Sequence, residues 1–230
     1  MEQAAPAVHD WQSAEYARAW VADAETRDPE RAPGLALLAR LIPRPADAPI
    51  RVLDLGAGYG IVTATVLAAF PRAQVALVDY SEAMLAHART RLAPHAARLQ
   101  YVVTDLSAPD WRASVAGPFD AVVSASATHT LRVPERIAAL YGEIAGLLAP
   151  GGAFLNLDHV SAGGPRIEAQ FAALATRPAR HLVHEHPRAG LRYPAGLIAQ
   201  LGWLRATGFA EVDCFWKHLH LALFGGFMRP

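Results

Sequence analysis

The chain has 230 residues, 53% of them hydrophobic, enough for one α/β domain with a small appendage and a sizeable buried core. Twenty-one basic residues balance 21 acidic ones, so no net field draws in nucleic acid or an anionic membrane. Cys214 is the single cysteine, which excludes an internal disulfide and a cysteine-rich zinc site.

In chain order, the opening MEQAAPAVHDWQSAEY carries acids and lacks an apolar core of signal-peptide length. No apolar run nears the roughly 18 residues of a membrane helix, and the chain reads as soluble and cytoplasmic. From about Trp11 to Leu41 two helical pieces are expected, broken near Asp28-Pro29 and Ala32-Pro33-Gly34. Tyr16 and Trp20 lie one helical turn apart and suit a lid or substrate wall, or plain packing onto the main domain. Ile42 to Pro49 cannot continue a helix, because its prolines lack the amide proton and fix φ. The boundary between an N-terminal helical lid (1–45) and a main domain (46–230) is placed there.

An alternating pattern follows. Strands are expected at Ile50 to Leu55, Val75 to Val78, Leu99 to Val103, Phe119 to Ser124 and Ala153 to Leu157. Helices are expected at Ile61 to Phe70, at Glu82 to Leu92 with Ser81 as N-cap, and at Glu135 to Leu148, the last halted by Pro150-Gly151-Gly152. Continuous apolar strands separated by amphipathic helices indicate a Rossmann-like, mostly parallel sheet covered on both faces. After an insertion at about 161–193, a helix at Leu197 to Thr207 is closed by Gly208. Glu211 to Lys217 and Leu219 to Phe224 are then two strands too closely joined for a parallel crossover, so they pair antiparallel.

The chemistry concentrates at the carboxyl ends of the first strands, where open α/β sheets bind ligands. Strand one runs into Gly56, Ala57, Gly58 and Gly60, and glycines there permit positive φ and let a ligand approach the backbone. The spacing is G-x-G-x-G, and Asp54 precedes it by two places. A carboxylate repels a pyrophosphate and attracts an ammonium group, so the loop suits an amino-acid moiety better than a dinucleotide. Asp79 ends strand two, where an acid accepts from ribose hydroxyls or, alternatively, caps a surface turn. Tyr80 follows it, and Met84 offers a polarizable contact for a base ring, or is plain core. Asp105 and Leu106 end strand three, where Asp105 can accept from an exocyclic amine. Ser124 ends strand four beside the same pocket.

Six segments carry a resemblance: VLDLGAGYG, VALVDYSEAML, VVTDL, FDAVVSASATHTL, LLAPGGAFLNLDHV and GFAEVDCFWKHLHLALFGG. Together they resemble the class I S-adenosylmethionine-dependent methyltransferases of the small-molecule branch. The resemblance implies a seven-stranded sheet of order 3-2-1-4-5-7-6 with strand seven reversed. It also implies that S-adenosylmethionine is the cofactor and S-adenosylhomocysteine the product. Asp54, Gly56 and Gly58 would then border the methionine part, Asp79 the ribose, Met84 the adenine face and Asp105 the adenine amine. The loop after strand four often reads His-His-Leu in the relatives most resembled, and here it is His129-Thr130-Leu131.

A methyl on a sulfonium is already activated, so a base is needed only where the acceptor must lose a proton. His129 and His159 are the candidate bases or substrate-orienting groups, the latter beside Asp158. HLVHEHPR, with His181, His184 and His186, has metal-like spacing but lies between Pro178 and Pro187, so a loop without metal is expected. No Asn/Asp-Pro-Pro-Tyr motif follows strand four and no cysteine lies there, which disfavours nucleobase acceptors. A small-molecule acceptor is the leading expectation. The alternatives are a protein or tRNA acceptor, carboxyl addition to the cofactor, a non-catalytic cofactor-binding protein and a dinucleotide oxidoreductase.

Overall fold

The computed structural model describes residues 10–175, 184–185 and 192–230. Its strands are β1 (Arg51–Leu55), β2 (Gln74–Asp79), β3 (Leu99–Val103), β4 (Phe119–Ala125), β5 (Leu148–His159), β6 (His184–Glu185), β7 (Arg192–Tyr193), β8 (Glu211–His218) and β9 (Leu221–Phe227). The main sheet has the order β3-β2-β1-β4-β5-β9-β8, while β6 and β7 form a separate two-stranded pair. Strands β1 to β5 pair in parallel, and β9 runs antiparallel to both β5 and β8. With the small pair set aside, this is the expected order 3-2-1-4-5-7-6 with its seventh strand reversed.

The helices are α1 (Ala14–Ala22), α2 (Ala24–Arg40), α3 (Ile61–Ala69), α4 (Glu82–Arg91), α5 (Pro134–Ala145), α6 (Pro165–Leu174) and α7 (Leu197–Ala206). Period-two alternation divides the central strands between two cores. Val52 and Leu77 pack with Val62, Val66 and Leu85 of α3 and α4 and with Leu35 and Leu38 of α2. Leu53, Leu55 and Val78 face the other way, onto Ile137, Leu140 and Ile144 of α5 and Leu204 of α7. Burial on both faces is why these strands read as unbroken apolar runs. Among the described residues, no helix is long and apolar enough to cross a membrane.

Three boundaries differ from expectation. The N-terminal helices do not break at Pro29 or Pro33; α2 runs through both, and the break falls at Asp23. Both prolines are exposed, so the carbonyls one turn earlier that lose their amide partners lie on the solvent side. The opposite face buries Arg31, Leu35 and Leu38, which holds the helix together by packing. Helix α5 stops at Ala145 rather than Leu148, because Leu148 already pairs with Phe119 of β4. Strand β5 therefore runs through Pro150-Gly151-Gly152, with a register irregularity between Phe119 and Ala121 opposite. Helix α6 was not expected, and it lies inside the inserted segment.

Candidate active site

The loop after β1 is shaped by backbone geometry and then anchored to β2. Gly56, Gly58 and Gly60 all have positive φ, of 64°, 54° and 80°. The Ala57 amide donates to the Val78 carbonyl at 3.0 Å, and the Gly58 amide donates to Asp79 Oδ2 at 2.8 Å. A Cβ on Gly56 would lie 2.2 Å from the Cβ of Ala127, so this glycine admits the loop after β4 rather than a ligand. At Gly58 an added Cβ would meet, among the described residues, only Met84 Cε at 3.3 Å. Gly58 is therefore the position where the backbone is left open to a ligand.

Asp54 is fully buried. Its Oδ2 accepts from the Thr63 amide at 3.1 Å and the Thr63 hydroxyl at 2.6 Å, which ties β1 to the first turn of α3. Its Oδ1 is buried without a partner among the described residues. Burial pushes this carboxyl up to about 7, against the pull of the Thr63 bonds. Asp79 caps the loop with both oxygens, accepting from the Ser81 amide at 2.8 Å as well as from Gly58. Burial raises its pKa more than these bonds lower it. Met84 is buried beside Tyr59, and the Ser81 hydroxyl accepts from its amide at 3.1 Å.

The other expected pocket residues divide. The Ser124 hydroxyl donates to the Leu55 carbonyl at 2.8 Å, so in this structure it ties β4 to β1. Leu106 is buried, Asp105 is exposed and accepts from the Ser107 amide at 2.8 Å, and Tyr80 is 37% exposed at the rim. Burial, aided by Asp79, Asp10 and Asp105, pushes the Tyr80 hydroxyl up to about 12. An orphaned buried carboxylate oxygen, an acid at the end of β2 and an open glycine beside an apolar thioether fit an amino-acid nucleoside.

The second half of the site comes from β4 and β5. These strands are parallel neighbours with Ala125 opposite Leu157, so the residues just beyond them fall side by side. His129 Nδ1 lies 2.6 Å from Asp158 Oδ1. Asp158 also accepts from the His129 amide at 2.9 Å, the Thr128 hydroxyl at 2.6 Å and the His159 amide at 2.8 Å. Burial acts to raise its pKa, but His129 and the other donors outweigh it and hold the carboxyl at about 2. An ionised Asp158 requires Nδ1 of His129 to carry the proton, which fixes the tautomer and orients the ring. The His159 ring stands edge-on to His129 with centroids 5.1 Å apart. Burial, with the His129 charge, lowers the His159 pKa to about 3, so that ring is neutral near pH 7. Its Nδ1 is buried with no partner among the described residues.

The N-terminal segment packs against the glycine loop and the start of α4. The Ser81 hydroxyl donates to the Trp11 carbonyl, and Trp11 packs edge-on against Tyr16 and Trp20 at 5.0 and 4.9 Å. The Tyr59 hydroxyl donates to Asp28 Oδ1 at 2.6 Å. Arg31 Nη2 donates to that carboxylate at 2.5 Å and to the Tyr59 oxygen at 2.7 Å. Sequence reasoning missed Asp28, Arg31 and Tyr59, whose meeting depends on how α2 crosses the loop. It also missed Asp158 as the partner of His129, although adjacency of strands four and five in the expected sheet order was the available signal. His181 and His186 lie outside the described residues, as do the side chains of His184 and Glu185.

Comparison with known proteins adds a family. A profile described as "Methyltransferase domain" matches residues 52–152. The chain is 36% identical over 159 residues to trans-aconitate 2-methyltransferase of an Acidovorax species, covering 67% of this chain and 54% of that protein. It is 35% identical over 183 residues to the protein of the same name from Methylobacterium nodulans, covering 74% of this chain and 63% of that one. The chain thus spans between half and two thirds of the length of these curated relatives. Its fold is shared with an O-methyltransferase family protein from Burkholderia thailandensis, with TM-score 0.68 and 21% identity over 96% of this chain and 61% of that one.

Proposed function

This chain belongs to the class I S-adenosylmethionine-dependent methyltransferases, and from that premise we propose that it moves the cofactor's methyl group to a small-molecule acceptor. The observation that carries the proposal is a juxtaposition. The glycine loop and Asp79 end β1 and β2, the His129–Asp158 pair ends β4 and β5, and β1 and β4 are neighbours where the strand order reverses.

S-adenosylmethionine, when bound, supplies a methyl group already activated by its sulfonium. The chain has to bind, orient and exclude water. Asp79 would accept from the ribose hydroxyls, Met84 would pack against the base, and the orphaned Oδ1 of Asp54 would take a donor from the amino-acid end. Asp105 and Tyr80 form the outer rim. Where the acceptor is a hydroxyl or an amine, His129 takes its proton at Nε2 while Asp158 holds the Nδ1 side of the ring. His159, held neutral, orients the acceptor through a hydrogen bond.

Tyr16 and Trp20 close the pocket. A balanced net charge supports a small acceptor over a nucleic acid. The curated relatives are named for an acid, trans-aconitate, which makes it the first acceptor to test. A carboxylate oxygen needs no base, whereas a hydroxyl or amine does, so the pH dependence of turnover separates the two.

Thermal denaturation with added ligands tests the cofactor: S-adenosylhomocysteine raises the melting temperature and NAD does not. The reverse result defeats the proposal. Methyl transfer from S-adenosylmethionine to trans-aconitate and to hydroxylated small acids, followed by mass spectrometry, then tests the acceptor.

A further inference from the structure

The interior of β5 carries an amide where its strand neighbours are apolar. Asn156 is fully buried and lies opposite Ser124 of β4 on one side and Phe224 of β9 on the other. Asparagine is a poor strand former, and a buried polar atom without a partner is costly. The Oδ1 of Asn156 is such an atom among the described residues. Leucine would pack there as well, so the reason for the amide lies in its other atom. That atom, Nδ2, donates to Thr128 Oγ1 at 2.9 Å.

Thr128 is also fully buried, in the turn Thr128–Leu131 that follows β4. A threonine hydroxyl has one proton to give and accepts through its lone pairs. Its Oγ1 lies 2.6 Å from Oδ2 of the ionised Asp158, so the proton goes to the carboxylate. Tyr141 is a competing acceptor beside Thr128, but it is neutral, and its own hydroxyl donates to Gln200 Oε1 at 2.5 Å. With its proton committed, Oγ1 can only accept from Asn156, which is why Nδ2 and not Oδ1 faces it. Asn156 and Asp158 stand two residues apart on β5 and share a face, so they hold Thr128 from both ends.

The consequence falls on His129. A carboxylate turns readily about χ2, because that torsion is broad and roughly two-fold. The Thr128 hydroxyl and the His129 amide pin Oδ2, which leaves Oδ1 aimed at His129 Nδ1 at 2.6 Å. We propose that Thr128, held in turn by Asn156, is a positioning residue for the reaction, locking the Asp158 carboxylate in the orientation that presents Oδ1 to the His129 ring. Both residues act through Asp158. The inference rests on the reading of His129 as the acceptor's base for what the positioned ring does, and on the hydrogen bonds for the positioning itself.

NMR of the full chain with isotope-labelled histidine tests the positioning without acceptor or cofactor. The His129 Nδ1–H signal, assigned by its absence from His129→Gln, should exchange slowly with water. Thr128→Val keeps the volume and removes the donor, and is expected to speed that exchange by about tenfold or more. Thr128→Ser retains the hydroxyl and should restore the wild-type rate. Asn156→Leu should speed exchange by less, and should add nothing in the Thr128→Val background, because it acts through Thr128. The Ser126 and Val160 amides, which donate to the Leu157 and His220 carbonyls, report the backbone on either side and should stay within about twofold. In turnover of a hydroxyl acceptor, Thr128→Val should lower kcat by about tenfold at an unchanged KM for S-adenosylmethionine, and Thr128→Ser should recover it.

A wild type without a protected Nδ1–H, or a folded Thr128→Val with unchanged exchange or unchanged kcat, overturns the proposal. Equal acceleration of the Ser126 and Val160 amides also overturns it, since Thr128 would then support the turn alone. A full effect of Asn156→Leu in the Thr128→Val background removes Asn156 from the arrangement. Should Thr128→Val not fold, faster exchange in Asn156→Leu with the wild-type rate in Thr128→Ser supports the positioning, and the wild-type rate in both defeats it. Failure of the wild type to bind S-adenosylhomocysteine or to move a methyl group defeats the methyltransferase reading instead, and the exchange rates stand apart from it.

Discussion

Two histidines near one carboxylate have been given different characters by their surroundings. His129 Nδ1 is hydrogen-bonded to the ionised Asp158, whereas His159 is buried beside His129 and held neutral. If His129 is the base for a protic acceptor, His129→Ala lowers kcat by about two to four orders of magnitude and leaves S-adenosylhomocysteine affinity unchanged. Steady-state kinetics with a hydroxyl or amine acceptor checks this, and an unaltered kcat would show that no base acts there. His159 makes a separate prediction about stability. Its folded pKa, about 3, lies below the ordinary histidine value of 6.5. Protonation therefore favours the unfolded chain, and the contribution present above pH 6.5 is lost as the pH falls from there toward 3. His159→Gln cannot titrate, so the stability of the wild type relative to the variant should decline by about 1–2 kcal/mol between about pH 6.5 and pH 5. Urea unfolding across that range reads it, and parallel curves would mean that the ring is not held neutral. Asp54 and Asp79 were legible as special because two acids bracket a glycine loop at strand ends. The Thr63 bonds that occupy one oxygen of Asp54 were not, since they depend on how α3 starts.

The elements show why local signals succeed in some places and fail in others. Ser81 was readable as an N-cap because a hydroxyl before Glu82-Ala83-Met84 satisfies a free amide whatever the rest of the chain does. In the structure the same hydroxyl also donates to the Trp11 carbonyl, so one side chain starts α4 and docks the segment before α1. Ser81→Ala is expected to cost about 1 kcal/mol or more, measured as a lower urea midpoint, while Ser81→Thr retains most of the stability. Equal midpoints for alanine and serine would remove the double role. Helix α2 is the contrary case. Its prolines argue for breaks from local chemistry, yet the buried row Arg31, Leu35 and Leu38 outweighs two lost hydrogen bonds on an exposed face. Gly34 belongs to that packing: a Cβ there would come within 2.6 Å of Leu157 Cδ1, so the helix lies close on β5.

At the scale of the whole molecule, the N-terminal region divides at Asp23 rather than at the prolines. Leu35 and Leu38 of α2, and Ile42 beyond it, belong to the same buried core as Val52, Val66 and Leu77, whereas α1 reaches the domain through Ala17, Trp20 and the Tyr59–Met84 cluster. Deleting residues 1–22 should leave a cooperatively folding domain, because it removes no part of the central core, and with weaker S-adenosylhomocysteine binding if α1 is the proposed wall of the pocket. Deleting residues 1–40 should abolish cooperative unfolding, because Leu157 and its neighbours lose their cover. Circular dichroism melts of the two truncations test the division, and a stable, ligand-binding protein lacking residues 1–40 would contradict it. What the amino-acid sequence determined by itself was the chain order of the seven main-sheet strands and of helices α3, α4, α5 and α7, the reversed last strand, the glycine loop and the acids at or near the ends of β1, β2 and β3. All of these follow from periodicity, backbone restriction and short connections within a few residues. Only the tertiary structure decided that Asp158 orients His129, that α2 survives its prolines, and that Arg31 meets Tyr59 and Ser126 across 28 and 95 residues of chain. Those contacts are made by packing between elements, and their energy appears only once the elements are brought together.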